Sequence, residues 1–490
     1  MLFNSLEFAV FLPVVFLLYW FAVSKDLKLQ NLFLLAASYI FYGWWDYRFL
    51  VLLISVSLFN YFTGIRIDKS GEGKGRKRWL ITGIIINLAV LAVFKYFNFF
   101  VDTFIDLFSL AGYNLPKTTT QIILPLGISF YTFLSLSYII DIYRKNIAAE
   151  KSLPDVFLTL SFFPIILAGP IQRPASLLPQ VTARREFSYD VAADGLRQIL
   201  WGLFAKIVIA DNLSPIVDQV FLNYGEYTGS TLLLGIIFFA VQIYADFSGY
   251  SNIAIGVGKL FGFRLMQNFA YPYFSRDIAE FWKKWHISLT TWFRDYLFLP
   301  LSFSIAWRIK KEKVLLIKAD NFIYIVASFV TWSLTGLWHG ASYTFLIWGM
   351  LNGLFLIVFH LQNKPRKKLL KKAGIKNNHP LVLIPETIIT ICFILAAWIF
   401  FRSENTGQAL SYLQKIASLS LFTFPVILSF KVFLLIPLFL VSEWIQKNKE
   451  HALQITPIGY RWMRWSIYTV LIFIILMFGG GGKEFIYFQF

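Results

Sequence analysis

Two histidines, each preceded by a tryptophan, are the residues of this sequence best suited to acid–base chemistry. They are His286, after Trp285, and His339, after Trp338, in a chain that contains five histidines in all. His339 interrupts an apolar segment, 322–340, that is long enough to cross a bilayer. Because an ionisable group at membrane depth is costly, His339 is a candidate functional residue.

The neighbours of His339 favour chemistry at its ring. Gly336, Gly340 and Ala341 are small and would let a substrate or another backbone approach the imidazole. Histidine is the usual general base for a hydroxyl that attacks an acyl group. The alternative is a structural histidine bonded to a neighbouring helix, and the residues alone leave both interpretations open.

Asp246 is a second ionisable group in apolar surroundings, within the stretch Tyr244-Ala-Asp-Phe-Ser-Gly-Tyr250. It lines the same cavity as His339, or it pairs with a basic residue such as Lys206 or Arg264. The structural pairing is the favoured interpretation, because buried charges are usually compensated by a partner.

Other catalytic signatures are missing from the sequence. No phosphate-binding loop, nucleophile elbow or zinc-protease HExxH motif occurs. The single cysteine excludes a disulfide framework, a cysteine-based zinc site and a CxxC redox motif. We therefore expect no metal and no permanently bound cofactor.

The elements that must position these residues are membrane helices. Hydrophobic residues make up 57% of the 490 and charged residues 15%, whereas soluble domains have about 45–50% apolar residues. The apolar residues come in blocks of spanning length. The first block lacks a preceding basic residue and is followed by Lys25 and Lys28, so we expect a retained helix rather than a secretory signal. Twelve segments are predicted to span: 6–23, 30–44, 47–65, 79–101, 121–142, 195–210, 230–250, 321–338, 343–361, 382–401, 425–443 and 465–480.

The net charge of +18 is concentrated in short connections between apolar blocks, chiefly 66–78, 308–318 and 364–376. This is the positive-inside pattern, so the charge predicts orientation and contact with anionic headgroups rather than nucleic-acid binding. The loop 66–78 is then cytoplasmic, and both termini face outward. Residues 156–171 are apolar but too short to span and contain Gly169-Pro170, which indicates a re-entrant or interfacial element.

The segment 274–301 has aromatic and aliphatic residues at helical spacing on one side and polar residues on the other. This pattern predicts an amphipathic helix in the plane of the membrane interface. His286 would lie on the flank of the apolar stripe and face either a protein crevice or the headgroup boundary. An interfacial position would be too wet for strong electrostatic effects, which argues against a direct role of His286 as the base.

Several motifs together resemble the membrane-bound O-acyltransferase family. Phe281-Trp-Lys-Lys-Trp-His-Ile-Ser-Leu289 resembles the first histidine motif of the family, and Gly336-Leu-Trp-His-Gly-Ala341 resembles the second. The match continues through residues 126–133, 137–143, 168–171 and 244–250, and covers roughly residues 1–480. Within the family the chain looks most like the bacterial alginate O-acetyltransferase branch, with the teichoic-acid D-alanyl transfer proteins as relatives.

The resemblance implies an all-α polytopic protein forming a single domain over 1–490. Eleven to twelve transmembrane helices, with re-entrant and interfacial helices, would surround a central funnel or tunnel. Residues 267–301 would carry the first histidine motif and helices within 321–361 would flank the second. His339 would be the catalytic histidine deep in the membrane, and His286 the second, nearer the cytoplasm. The supporting cavity residues would be Asp246, Trp285, Asp295, Trp338 and Asn252, the last standing where an aspartate is common in the family.

The implied activity is transfer of an acyl group, most simply acetyl, from a cytoplasmic thioester to hydroxyls of an extracytoplasmic polysaccharide. The donor would be acetyl-CoA or an acyl carrier protein, and a hydrolase-like extracytoplasmic partner would complete delivery. The expected location is the bacterial inner membrane. Alternatives are a D-alanyl or long-chain lipid or protein O-acyltransferase and, from a different class, a non-catalytic saccharide or lipid transporter.

Overall fold

The computed structural model describes residues 1–113, 122–426, 429–455, 460–479 and 485–486. Its chain divides into two compact units. One comprises Met1–Leu203 with Tyr250–Met266, and the other comprises Phe204–Gly249 with Gln267–Phe490. The predicted spans 121–142, 425–443 and 465–480 include positions 121, 427–428 and 480, which lie outside the described residues. The single-domain organisation stays a prediction.

The first unit is built from helices, with a π-helical turn at Leu18–Ala22 directly after the first of them. In chain order they are α1 (Leu6–Leu17), α2 (Leu27–Gly43), α3 (Tyr47–Lys69), α4 (Lys74–Leu110), α5 (Ile128–Tyr143), α6 (Leu153–Ser161), α7 (Phe163–Ile166), α8 (Pro174–Thr182) and α9 (Tyr189–Leu203).

Helix α5 forms the core of this unit, and nearly all of its side chains are buried. Its start depends on Gly127, which has a φ of 74° and whose added Cβ would lie 2.2 Å from the carbonyl oxygen of Ile166. Only glycine fits such a left-handed, crowded position. No continuous helix covers residues 156–171: α6 ends at Ser161, α7 ends at Ile166, and Gly169-Pro170 follows outside both helices. The re-entrant or interfacial position of this segment stays a prediction.

The second unit begins with a π-helical segment, Phe204–Ala210. Its helices are α10 (Asp211–Leu222), α11 (Gly229–Leu260, whose last residues belong to the first unit), α12 (Ile278–Lys284), α13 (Ile287–Phe293), α14 (Leu299–Arg308), α15 (Ala319–His339), α16 (Tyr343–Lys372), α17 (Pro380–Arg402), α18 (Thr406–Ile416), α19 (Phe430–Ile445) and α20 (Arg461–Phe478). Shorter elements are the 3-10 turns Pro272–Phe274 and Leu419–Phe422 and the π turn Arg294–Phe298. An antiparallel pair, β1 (Lys313–Val314) and β2 (Ile317–Lys318), precedes α15, with Lys313 opposite Lys318.

The predicted all-α polytopic fold is confirmed. Among the described residues, eight helices are long and apolar enough to cross a membrane: Tyr47–Lys69, Lys74–Leu110, Tyr189–Leu222, Gly229–Leu260, Ala319–His339, Tyr343–Lys372, Pro380–Arg402 and Arg461–Phe478. The other four predicted spans coincide with shorter helices, namely α1 with its π turn, α2, α5 and α19. The orientation in the membrane stays a prediction.

The predicted continuous helix over 274–301 is wrong. The apolar stripe is buried as expected, since Ile278, Phe281 and Leu289 are inaccessible, but the helix is interrupted between α12 and α13. Trp285 is extended and His286 adopts the left-handed region, with a φ of 44° and a ψ of 52°. The broken backbone is satisfied from elsewhere in the chain, because the Ile287 N–H donates to the Asn268 carbonyl oxygen at 2.9 Å.

Candidate active site

His339 is the last residue of α15, where the chain turns back into α16. Its side chain is 5% exposed. Three aromatic rings meet the imidazole edge-to-face, with centroid distances of 4.8 Å to Trp338, 4.9 Å to Trp348 and 5.2 Å to Phe401. The ring therefore lies in a largely apolar environment, in which a proton transfer would not compete with bulk water.

Close approach of α15 and α16 places His339. A Cβ at Gly336 would lie 2.3 Å from the Phe345 carbonyl oxygen, and a Cβ at Gly349 would lie 2.3 Å from that of Trp332. Gly340 is equally restricted, since a Cβ there would lie 2.2 Å from the ring of Phe345. The small residues next to His339 therefore bring another backbone close, which is one of the two uses that the sequence suggested for them.

His286 is positioned by Asn268, which the sequence analysis did not single out. The Nδ1 atom of His286 lies 3.0 Å from the Asn268 Oδ1 atom, and the Ser288 hydroxyl donates to the same oxygen at 2.9 Å. Because a carbonyl oxygen only accepts, Nδ1 carries the proton and the lone pair is on Nε2. Nothing in the local periodicity points to Asn268, since it lies 18 positions before His286.

His286 is buried within the protein. Its side chain is 1% exposed, and Phe247 meets it edge-to-face at 4.6 Å. Burial lowers the pKa of His286 to about 3, so the imidazole is neutral at physiological pH. Of the two surroundings expected for His286, the burial therefore agrees with the protein crevice, and the position of His286 relative to the headgroups stays a prediction.

Trp338 connects the two histidines. Its indole lies 4.8 Å from the ring of His339 and 6.0 Å from the ring of His286. The side chain itself is 5% exposed. The sequence placed the histidines at different membrane depths, whereas the fold brings both against one indole. The two Trp-His motifs therefore form one site.

A wall of indoles continues from this site. Trp285 stacks on Phe281 at 5.5 Å and contacts Trp398 at 5.1 Å. Trp398 stacks on Trp348 at 5.9 Å, and Trp348 contacts His339. Trp348 and Trp398 were not predicted as site residues, because a tryptophan within an apolar span carries no signal that separates lining from packing.

Asp246 belongs to a buried ion cluster. Its Oδ1 atom lies 2.8 Å from the Lys206 Nζ atom, which also lies 2.9 Å from the Asp211 Oδ1 atom. The Asp246 Oδ2 atom accepts the backbone N–H of Ile486 at 2.8 Å. The favoured structural pairing with Lys206 is thus present. Asp246 also precedes Phe247, the ring that contacts His286, so the cluster holds α11 next to the site. Its role in lining a cavity stays a prediction.

The remaining predicted site residues have other surroundings. Asp295 lies in the π turn after α13, where its Oδ1 atom accepts from the Arg294 Nε atom at 2.8 Å. Asn252 belongs to the first unit, where its Oδ1 atom accepts from the Gln198 Nε2 atom at 2.9 Å. Their roles in substrate binding stay predictions.

The arrangement is suited to general-base chemistry on a poorly hydrated substrate. The site combines two imidazoles with aromatic walls and, at His286, a defined tautomer. Water exclusion strengthens electrostatic interactions and protects a reactive acyl group from hydrolysis. The site thus has the groups required to activate a hydroxyl.

Comparison with known sequences assigns this site to a family. A sequence model described as the membrane-bound O-acyltransferase family matches residues 144–402, which include both histidines. A probable alginate O-acetylase of Pseudomonas aeruginosa is 40% identical over 412 residues, covering 84% of this chain and 73% of the relative.

Two further relatives have different acceptors in their names. A peptidoglycan O-acetyltransferase of Helicobacter pylori is 33% identical over 449 residues, covering 86% of this chain and 80% of the relative. A teichoic acid D-alanyltransferase of Bacillus subtilis is 29% identical over 247 residues, covering 50% of this chain and 60% of the relative.

Proposed function

Because the chain belongs to the membrane-bound O-acyltransferase family and is therefore an acyltransferase, we propose that it transfers an acetyl group from a cytoplasmic thioester to hydroxyls of an extracytoplasmic polysaccharide. The relatives matched over most of the chain are named for O-acetylation of alginate and of peptidoglycan. The D-alanyl relative matches only half of the chain, which makes acetyl the better-supported group. Family membership also argues against the transporter alternative.

The observation that carries this proposal is the shared contact of His286 and His339 with Trp338. In the proposed reaction, His339 takes the proton of the attacking hydroxyl while the hydroxyl oxygen bonds to the carbonyl carbon of the thioester. The carbon–sulfur bond then breaks, and the proton passes to the departing thiolate, so that a thiol and an ester are the products. The indole wall would keep water from competing with the hydroxyl.

His286 has a different proposed role. A histidine beside the thioester could orient it or stabilise developing negative charge. A neutral imidazole whose only N–H is directed at Asn268 has no donor to offer an oxyanion. Its Nε2 lone pair is instead suited to accept a hydrogen bond from the incoming hydroxyl. We therefore assign His286 the role of orienting the acceptor hydroxyl rather than the thioester.

The protein would act at the bacterial inner membrane, with an extracytoplasmic partner that completes delivery to the polymer. The donor would be acetyl-CoA or an acetylated acyl carrier protein. These assignments rest on the resemblance to relatives that modify extracytoplasmic polymers and on the predicted orientation of the lysine- and arginine-rich loops.

The test uses the full chain in proteoliposomes supplied with radiolabelled acetyl-CoA or acetylated carrier protein and with a short oligosaccharide acceptor, chosen small enough to reach the site without the partner that delivers acetyl groups to the polymer. We expect acetyl transfer by the wild type and none by His339→Ala. His360→Ala is the matched control, because His360 lies exposed on α16 and stacks on Tyr324 at 4.0 Å, outside the site. Full activity of His339→Ala would remove the general-base role, and no transfer from either thioester by the wild type would reject the proposed donor class.

A further inference from the structure

A cavity of about 350 Å³ lies in the first unit, at the π-helical turn that ends the first apolar helix. Trp20 and Phe21 of that turn line one side, and Arg184 and Phe187 of the connection after α8 line the other. The volume falls in the range of about 300–1,000 Å³ that is typical of small-molecule sites. None of these residues belongs to the two-histidine site.

The apolar side of this cavity is built in advance of any ligand. The Trp20 indole N–H donates to the Leu260 carbonyl oxygen at 2.9 Å, and the Tyr19 hydroxyl donates to the Phe261 carbonyl oxygen at 3.1 Å. These bonds hold the π turn in place. Trp20 in turn meets Phe187 edge-to-face at 5.4 Å. Single π-helical turns are found frequently at functional sites.

The polar side of the cavity is basic. Arg185 is 7% exposed and bonds to neutral acceptors, including the carbonyl oxygens of Gln180 and Val181, each at 3.1 Å. Arg184 lines the same cavity with an exposed side chain, alongside Glu186. Lys25 immediately follows the lining residue Ser24. Asp26 follows Lys25 and balances its charge, but among the lining residues two arginines outnumber one glutamate, so the lining carries a net positive charge.

The position of the cavity identifies the kind of ligand. Phe21 is 81% exposed and Phe187 is 51% exposed, at the end of an apolar helix that is followed by Lys25. Aromatic residues next to basic residues mark the boundary between hydrocarbon and headgroups. A molecule that is complementary to this cavity has an aliphatic chain, which packs against the aromatic side, and an anionic headgroup, which lies next to the arginines.

We propose that this cavity binds one acidic phospholipid from the leaflet that the basic loops face. One acyl chain would lie against Trp20, Phe21 and Phe187, and the phosphate would contact Arg184. The buried charge of Arg185 adds to the attraction without direct contact. The bound lipid would hold the π turn and the connection after α8 together within the first unit.

The test is native mass spectrometry of the full chain in detergent, titrated with phosphatidylglycerol or with phosphatidylcholine of the same acyl chains. We expect the wild type to retain phosphatidylglycerol preferentially. Arg184→Gln should weaken that binding about fivefold, as for one basic residue near an anionic headgroup. Phe187→Ala should weaken binding of both lipids.

The matched control is Arg48→Gln, because Arg48 is also exposed and also next to an exposed aromatic residue, Tyr47, but lies outside the cavity and outside the basic loops. It should bind phosphatidylglycerol as the wild type does. Equal binding of the two lipids by the wild type, or equal losses in the two arginine variants, would reject the site. Displacement by inorganic phosphate beyond that by chloride of matched ionic strength would assign a free anion instead and reject the lipid.

Discussion

The indole of Trp338 lies 6.0 Å from the imidazole of His286, between centroids, although the two residues come from separate motifs. Trp338 also contacts His339, its neighbour in sequence, at 4.8 Å. A substitution in one histidine motif that moves the Trp338 ring will therefore also alter the packing of the other histidine.

Replacing Trp338 should separate aromatic packing from indole-specific effects. Trp338→Ala removes the ring between the histidines, and such a truncation in a packed core costs about 3–5 kcal/mol. We expect transfer to be lost, whereas Trp338→Phe should retain a measurable rate because a ring remains. Acetyl transfer and thermal unfolding in detergent check this, with Trp307→Ala as an exposed control. Equal activity of the alanine variant and the wild type would contradict the proposed contact.

Asn268 should matter for the rate as much as a motif residue. Asn268→Leu leaves the His286 N–H without its acceptor, so the tautomer is no longer defined. The equivalent bond behind a metal-binding histidine is worth about 10–100-fold in activity, and we expect a loss of the same order here. Ser288→Ala removes only the second donor to Asn268 and should have a smaller effect. The measurement is the steady-state rate of acetyl transfer by both variants at equal amounts of inserted protein. A smaller loss of rate in Asn268→Leu than in Ser288→Ala would contradict the role of Asn268.

The buried His286 should make the fold sensitive to acid. Its folded-state pKa of about 3 lies below the ordinary value of 6.5, so the unfolded state binds more protons between these values. The free energy of unfolding should therefore fall as the pH drops below about 6.5, by at most about 1.4 kcal/mol per pH unit. Thermal unfolding from pH 7.5 to 5 should show a shallower decline for His286→Gln. Identical slopes for variant and wild type would refute the assignment.

The helix pair α15–α16 should not tolerate a methyl group at its closest approach. In Gly336→Ala the new Cβ would meet the Phe345 carbonyl oxygen at 2.3 Å, so the helices must separate and His339 must move. We expect loss of transfer and a lower unfolding temperature. Gly75→Ala is the control, because no atom lies within 4 Å of a Cβ there. Both variants are compared by acetyl transfer and by unfolding temperature, and matching values would argue that the helices have room to spare.

The ion cluster predicts unequal effects of its members. Asp246→Asn leaves Lys206 paired with Asp211, whereas Lys206→Met leaves the buried carboxylate of Asp246 and the partly buried carboxylate of Asp211 without their shared cation. Removing the charge that compensates a buried ion costs about 3–5 kcal/mol, so Lys206→Met should be the more destabilising change. Unfolding temperatures measure the order. A more severe effect of Asp246→Asn would indicate that Asp246 contributes beyond this pairing.

Much of the architecture was accessible from the sequence because hydropathy is a local property. Each apolar block is long enough to form a helix by itself, and all twelve predicted spans overlap helices in the described part of the chain, although α5 begins only at Ile128 and α19 only at Phe430. The burial of one face over 278–292 also followed from periodicity alone. His339 was identified for the same reason, since an ionisable residue stands out against its own apolar segment.

Tertiary structure decided the environment of His286. Helical periodicity extends through His286 without a break, yet the chain takes a left-handed turn there. Asn268 supports this turn, because its carbonyl oxygen accepts the N–H of Ile287 and its side chain bonds to the imidazole of His286. The same holds for the contact with Trp338, for the indoles of Trp348 and Trp398, and for the choice of Lys206 over Arg264 as the partner of Asp246. Periodicity reports which side of one segment is apolar. Which rings and charges meet across segments depends on how helices distant in sequence pack, and that is settled only when the whole core forms.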